Sequence, residues 1–220
     1  MNIALYGSGE FTAAVNEIDE YLIDKYAVSS VAVIPTAAGK ERDYRKWTDM
    51  AKSHYEHLGI NVIPVPIIDS VGANDNSLVG ELDKADWIFF SGGDPKYLLD
   101  TVRDTKLWDK VMERVKNGAL LAGSSAGAMI MGKYVLSNPF KALFTTAPAA
   151  WDKAFGLAEY TIIPHYNRVK SHKRVLQKII DKGPIEVQKS WVGIDENTAL
   201  IIDSSGSTVK GMGTIDLHTS

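Results

Sequence analysis

Through the first half of the chain the apolar positions follow two rhythms in turn. Residues 3–6, 31–34, 62–65, 87–90 and 119–122 are short continuous apolar runs bounded by polar, glycine or proline residues. Such runs predict strands buried on both faces. Between them, residues 13–25, 43–58, 78–84 and 106–116 repeat their apolar positions at helical spacing, and 97–102 predicts a further turn of helix. Strands alternating with helices in this way predict an α/β fold. The expected architecture is three-layered and doubly wound, with a mostly parallel, flavodoxin-like sheet covered on both faces.

The rhythm loosens in the second half. Residues 137–156 hold prolines, phenylalanines and a tryptophan without a period, which predicts an ordered loop near the functional site. A strand at 160–163, a basic helix at 169–181 and strands at 191–194 and 199–202 follow. Segments around 208–209 and 214–217 are expected as antiparallel edge strands at the C-terminal end. No internal repeat or linker interrupts the pattern, so residues 1–220 are expected to form one domain.

Composition narrows the function classes. The chain has 220 residues, 45% of them hydrophobic, enough for one well-packed core. No apolar run reaches membrane-spanning length, and the first residues lack the basic segment and cleavage site of an export signal. A cytoplasmic protein without a membrane partner is expected. The formal charge of −3 argues against a nucleic-acid surface. The absence of cysteine excludes disulfides, thiolate metal sites and a cysteine nucleophile.

One stretch carries most of the chemistry. Residues 120–128 read Leu-Leu-Ala-Gly-Ser-Ser-Ala-Gly-Ala, an apolar strand running into Gly-x-Ser-x-Gly and then small helix-compatible residues. This is the grammar of a nucleophile elbow, a sharp strand-to-helix turn presenting the Ser125 hydroxyl above the sheet. A serine hydroxyl needs a base to take its proton. Of the five histidines, His54 and His57 fall on one surface helix and read as solvated. His172 lies in the basic helix and His218 at a terminus expected to fray. His165 follows a strand closed by Pro164, which places it at a strand's C-terminal edge, where α/β sites assemble.

The base in turn needs an acceptor on its other ring nitrogen. Residues 191–194 form an apolar strand ending in Asp195 and Glu196. Neighbours on an extended chain point to opposite faces, so at most one of the two faces His165, and spacing does not choose between them. The oxyanion of a tetrahedral intermediate needs preorganised donors. The Ala126 amide, next after the nucleophile, is one candidate, and Gly93 in Ser91-Gly92-Gly93-Asp94 is the other. Gly92 and Asp94 flank that donor and are candidate substrate contacts. The loop Tyr6-Gly7-Ser8-Gly9-Glu10 does not complete a dinucleotide fingerprint, because the third glycine falls on Thr12. No metal-ligand spacing appears, so neither cofactor nor metal is expected.

Ser91-Gly92-Gly93-Asp94, Gly123-Ser124-Ser125-Ala126-Gly127-Ala128 and Pro164-His165-Tyr166, in this order, resemble the peptidase E and cyanophycinase family of serine peptidases. The segment from Gly193 to Ala199 is similar to that family's acid-bearing segment. The resemblance runs from the first strand to about Ile202. It implies a fold similar to class I glutamine amidotransferases, with serine in place of their cysteine. It also implies Ser125 as nucleophile, His165 as base and Glu196 as orienting acid, and an exopeptidase or dipeptidase acting on a short peptide or isopeptide, aspartyl-directed.

The chain departs from both named members around the substrate. Cyanophycinases carry glutamine where this chain has Pro95, and arginines at the positions of Val169, Ser171 and Arg174. Peptidase E tends toward asparagine at the position of Asp94. Among the basic residues after the histidine, Arg168 and Arg174 are the candidates to meet an acidic substrate group. The expected partner is a small peptide, the expected assembly a monomer or homodimer. Two alternatives stand beside this reading. One is an α/β-hydrolase esterase, whose triad order would enlist Asp195 or Asp203 with His218; the other is a non-catalytic binding domain on the same scaffold.

Overall fold

A computed structural model of the chain describes residues 1–137 and 150–220, with the backbone alone at Lys173. Five parallel strands make up most of its main sheet: β1 (Asn2–Tyr6), β2 (Ser30–Ile34), β3 (Asn61–Pro64), β4 (Trp87–Phe90) and β5 (Leu120–Ser124). A hairpin of β6 (Tyr134–Leu136) and β7 (Trp151–Lys153) follows, then β8 (Thr161–Ile163) and β9 (Ser190–Ile194). β10 (Thr198–Asp203) and β11 (Gly206–Gly211) return to the main sheet antiparallel, giving the order β11-β10-β1-β5-β4-β2-β3. β12 (Ile215–Thr219) pairs antiparallel with β9, and β8 pairs with β9 in parallel to complete a separate three-stranded sheet. This is the expected doubly wound α/β architecture with antiparallel strands at its C-terminal end.

The continuous apolar runs are explained by two cores. Ile3, Leu5, Ile34, Ile88, Phe90 and Leu121 point to one face of the sheet. Ala4, Tyr6, Val33, Trp87, Phe89 and Ala122 point to the other. α1 (Asn16–Tyr26) and α2 (Arg45–His57) cover the second face. The first face is covered by α3 (Asn76–Gly80), α4 (Pro95–Val102), α5 (Lys106–Lys116) and α6 (Ala126–Met131). Each large side chain buried this way contributes about 1.5–3 kcal/mol. β1 and β5 are neighbours, yet the chain leaves β1 toward α1 on one face and leaves β5 toward α6 on the other. A crevice opens outside the C-terminal ends of strands where connections diverge, and ligands bind there in open α/β sheets.

Several local expectations change. β3 is not buried on both faces: within the strand only Ile63 is buried, because β3 is the outermost strand and its open side meets solvent. The helix expected at 169–181 is broken into α7 (Tyr166–Val169), a 3-10 turn (Lys170–His172) and α8 (Lys173–Asp181). Ser171 contributes to the break by donating its hydroxyl to the Arg168 carbonyl at 2.7 Å, a bond that competes with helix continuation. An unforeseen short helix, α9 (Ile185–Lys189), follows Pro184. Of the loop expected at 137–156, residues 138–149 lie outside the described residues, and Trp151–Lys153 is strand β7. Among the described residues no helix is long and apolar enough to cross a membrane.

Two histidines also depart from expectation. His218 is held in β12, its ring stacked on Trp191 with centroids 5.3 Å apart, so the terminus is paired rather than frayed. His54 is buried: its Nε2 lies 2.6 Å from Asp19 Oδ2, and the Tyr6 hydroxyl donates to Asp19 Oδ1 at 2.5 Å. α2 turns Ala51, His54 and Tyr55 inward together, and Asp19 on α1 meets the imidazole that would otherwise be orphaned. Burial pushes the Asp19 carboxyl up, against the opposing pull of its bonds to His54 and Tyr6. Removing one partner of a buried polar pair is costly. His54→Ala is expected to lower unfolding free energy by about 3–5 kcal/mol in urea titrations. A loss near the roughly 0.5 kcal/mol of ordinary surface substitutions would show that the pair contributes little.

Candidate active site

β5 delivers the chain to Ser125, whose backbone adopts φ 50° and ψ −108°, a region that non-glycine residues rarely occupy. The strain is held by the surroundings. The Ser125 amide donates to the Tyr6 carbonyl at 3.1 Å, and the Ser125 carbonyl accepts from Met129 at 3.0 Å as α6 begins. A Cβ at Gly127 would stand 2.2 Å from the Phe90 carbonyl oxygen, so the first turn of α6 packs directly on β4. The small residues around Ser125 are therefore demanded by contact as well as by the turn.

His165 enters from another sheet. β8 ends at Ile163, Pro164 follows, and His165 adopts a left-handed conformation (φ 52°) with its amide donating to the Gly7 carbonyl at 3.3 Å. Because β8 and β9 run parallel in register, the segments after Ile163 and after Ile194 emerge at the same end. The imidazole bridges the two: Nε2 lies 3.0 Å from Ser125 Oγ, and Nδ1 lies 2.8 Å from Glu196 Oε1.

The turn that follows β9 separates the adjacent acids. Glu196 turns toward His165. Asp195 turns away to Lys170 Nζ, at 3.0 and 3.1 Å, and accepts the Thr214 amide and hydroxyl. One turn of α7 grips Glu196. The Asn167 side chain donates to its carboxylate at 3.3 Å and accepts its backbone amide at 3.0 Å, while Arg168 Nε stands 2.9 Å from the carboxylate. Burial pushes the Glu196 carboxyl up, but hydrogen bonds from His165, Asn167 and Arg168 outweigh it and hold the group below the ordinary glutamate range. It therefore stays an acceptor at neutral pH.

The remaining residues singled out from the sequence fall around this centre. Gly93 takes φ 146°, and a Cβ there would stand 2.4 Å from the Ala37 carbonyl oxygen. Ala126 is the first residue of α6, so its N–H has no acceptor within the helix. The Gly92 amide is taken by Glu10 Oε1 at 2.9 Å. Asp94 caps α4 by accepting the Tyr97 amide at 2.9 Å and sits 3.9 Å from Lys40. Arg168 contacts Glu196, yet its side chain is 75% exposed. Arg174 is exposed on α8 and lines a shallow groove with Lys170, Ser171 and His172.

The residues of the esterase order do not gather at Ser125. Asp203 is engaged by Lys25 at 2.6 Å and the Tyr26 hydroxyl at 2.7 Å, and His218 stacks on Trp191. Sequence reasoning passed over Asn167 and Glu10. The available signal was position alone: Asn167 lies within one helical turn of the histidine, and Glu10 ends the glycine loop after the first strand.

Asp195 supplies a pH test. Burial raises its proton affinity, but bonds from Thr214 and Lys170 outweigh that and leave the folded pKa below the ordinary value. A depressed folded pKa contributes stability above the unfolded value of about 3.9, lost as pH falls through the folded one. Asp195→Asn is therefore expected to be less stable than the parent at pH 7, with the gap closing below about pH 4. Urea midpoints across pH 2.5–7 measure this, and a gap independent of pH would contradict it.

Comparison with known proteins identifies the family. Residues 3–210 match the model of Peptidase family S51. A cyanophycinase from Geminocystis herdmanii is 27% identical over 199 residues, covering 85% of this chain and 68% of the relative. An uncharacterized peptidase from Listeria innocua is 29% identical over 156 residues, covering 69% of this chain and 70% of its own length. The crystal structure of a peptidase from an acI-B1 actinobacterium superimposes with a TM-score of 0.85 at 28% identity, over 99% of this chain and 90% of that one. A putative peptidase E protein from Listeria monocytogenes shares the fold, with a TM-score of 0.66 at 21% identity over 96% of this chain and 98% of that one. The chain belongs to peptidase family S51 and is a serine peptidase.

Proposed function

We propose that this peptidase cleaves short peptides or isopeptides as an exopeptidase or dipeptidase, through a Ser125-His165-Glu196 triad and an acyl-enzyme. The observation that carries the reading is the continuous chain from Ser125 Oγ to His165 Nε2 at 3.0 Å and from Nδ1 to Glu196 at 2.8 Å. Both distances lie within hydrogen-bond reach of a nucleophile, its base and an orienting acid.

In this mechanism His165 takes the hydroxyl proton as Ser125 Oγ attacks the scissile carbonyl. Glu196 keeps the proton on Nδ1 and stabilises the imidazolium that forms. The oxyanion is received by the amides of Gly93 and Ala126, and His165 returns its proton to the leaving amine. Water then attacks the acyl-enzyme with His165 again as base, releasing the acid product and free Ser125.

The basic residues around the base support an acidic group beside the scissile bond. Arg168 spends its Nε on Glu196 while its side chain stays largely exposed, leaving the outer guanidinium edge to a carboxylate. Relatives named cyanophycinase and peptidase E are consistent with peptide substrates. Gly92 and Asp94 are less suited to direct substrate contact through the groups already bound to Glu10 and α4.

A panel of dipeptides with Asp-X, X-Asp and β-aspartyl bonds tests the reading. At least one aspartyl class is expected to be turned over. Ser125→Ala is expected to abolish turnover, and Glu196→Gln to lower kcat by about 10²–10⁴-fold with the fold intact by circular dichroism. Undiminished hydrolysis by Ser125→Ala would refute the triad, and turnover confined to non-acidic peptides would refute the aspartyl preference.

A further inference from the structure

The loop Tyr6-Gly7-Ser8-Gly9-Glu10 is a motif that the triad does not use, and it touches every segment of the site. The Ser125 amide donates to the Tyr6 carbonyl at 3.1 Å and the His165 amide to the Gly7 carbonyl at 3.3 Å. The amide of Asn197, next after Glu196, donates to the Ser8 carbonyl at 3.1 Å. Glu10 continues the series with its side chain. Its Oε1 accepts the Gly92 amide at 2.9 Å, and its Oε2 accepts the Ser124 hydroxyl at 2.5 Å. The residue is only 5% exposed, and the ring of the following Phe11 anchors the loop against Phe89, with centroids 4.9 Å apart.

These two bonds end one residue before Gly93 and two residues before Ala126. Gly92 precedes Gly93, and a glycine pair is the loosest dipeptide a chain can place at a site needing fixed donors. The Gly92 amide lies in the peptide plane just before the one that carries the Gly93 N–H, so once it is anchored only the φ and ψ of Gly92 remain to turn the Gly93 amide. Ser124 precedes Ser125, whose following amide belongs to Ala126. A single carboxyl group therefore ties the loop after β4 to the last residue of β5, beyond the point where the two strands pair. Preorganised donors stabilise a developing charge because they need no rearrangement when it forms.

We propose that Glu10 is a positioning residue for the oxyanion hole, holding the Gly93 and Ala126 amides at their working separation through Gly92 and Ser124. The inference rests on the triad reading above. It requires two acceptor or polar atoms at the reach of a glutamate side chain. A role confined to carrying a buried negative charge requires the charge and is indifferent to reach. Glutamine preserves the reach and loses the charge, whereas aspartate preserves the charge and is one methylene shorter.

The test is the rate of covalent labelling by a fluorophosphonate probe, which reports on Ser125 and the oxyanion site whatever peptide is preferred. In Glu10→Ala the maximal labelling rate is expected to fall by about 10–100-fold, with the half-saturating probe concentration within about twofold of the parent, as for a misplaced oxyanion donor. Glu10→Gln is expected to recover at least about tenfold over Glu10→Ala, and Glu10→Asp to remain near Glu10→Ala. Should Glu10→Ala fail to fold, the order of Gln above Asp carries the test. Asp equal to or above Gln, or a Glu10→Ala rate within about twofold of the parent, overturns the inference. Labelling of Ser125→Ala at the parental rate, or a parent that is not labelled, instead overturns the triad reading on which it rests.

Discussion

The site depends on the turn that follows the first strand. β1 is central in the sheet, between β5 and β10, and its C-terminal turn presents carbonyls and one carboxyl group in several directions at once. Each hydrogen bond it accepts is worth only about 0.5–1.5 kcal/mol net. Their geometric consequence is larger, because the donors belong to segments at residues 92, 124–125, 165 and 197 that share no local connection. A displacement of that turn would be felt by Ser125, His165, the segment after Glu196 and the Gly92 loop together.

The rest of the fold exists to make that convergence rigid. β1 and β5 are paired in register up to Tyr6 and Ser124, so the turn and the elbow leave the sheet at the same level. The elbow is strained at Ser125 and close-packed at Gly127, and the two apolar cores on either side hold it. β8 and β9 form a separate sheet, and their parallel register brings His165 and Glu196 out together. Around Glu196 the same helical turn that follows His165 supplies Asn167 and Arg168. His165 and Glu196 are thus coupled through the segment that follows His165 as well as by their own hydrogen bond.

Elements with strong periodicity were legible. Lys106–Lys116 has the bounds that its apolar spacing predicts, and the strands around 3–6, 31–34 and 87–90 follow from continuous burial. Errors arose where a neighbour, rather than the local pattern, decides exposure. β3 reads like its parallel companions but lies at an edge. His54 reads as a surface residue, yet Asp19 from another helix makes its burial affordable. The basic stretch after His165 reads as one helix, and a serine hydroxyl helps to break it.

The chain's own pattern was enough to specify a doubly wound sheet, a sharp strand-to-helix turn at Ser125 and the place of His165 beyond the end of a strand, because these follow from local sterics and from which strand each residue terminates. It left Asp195 and Glu196 equivalent by residue type and adjacent by number. Packing separates them: in the turn after β9 one carboxylate meets Lys170 and Thr214 and the other meets the imidazole. The link from Glu10 to Gly92 and Ser124 was likewise invisible in the linear pattern, since a contact between residues some 80 to 114 positions apart exists only once three strands lie side by side.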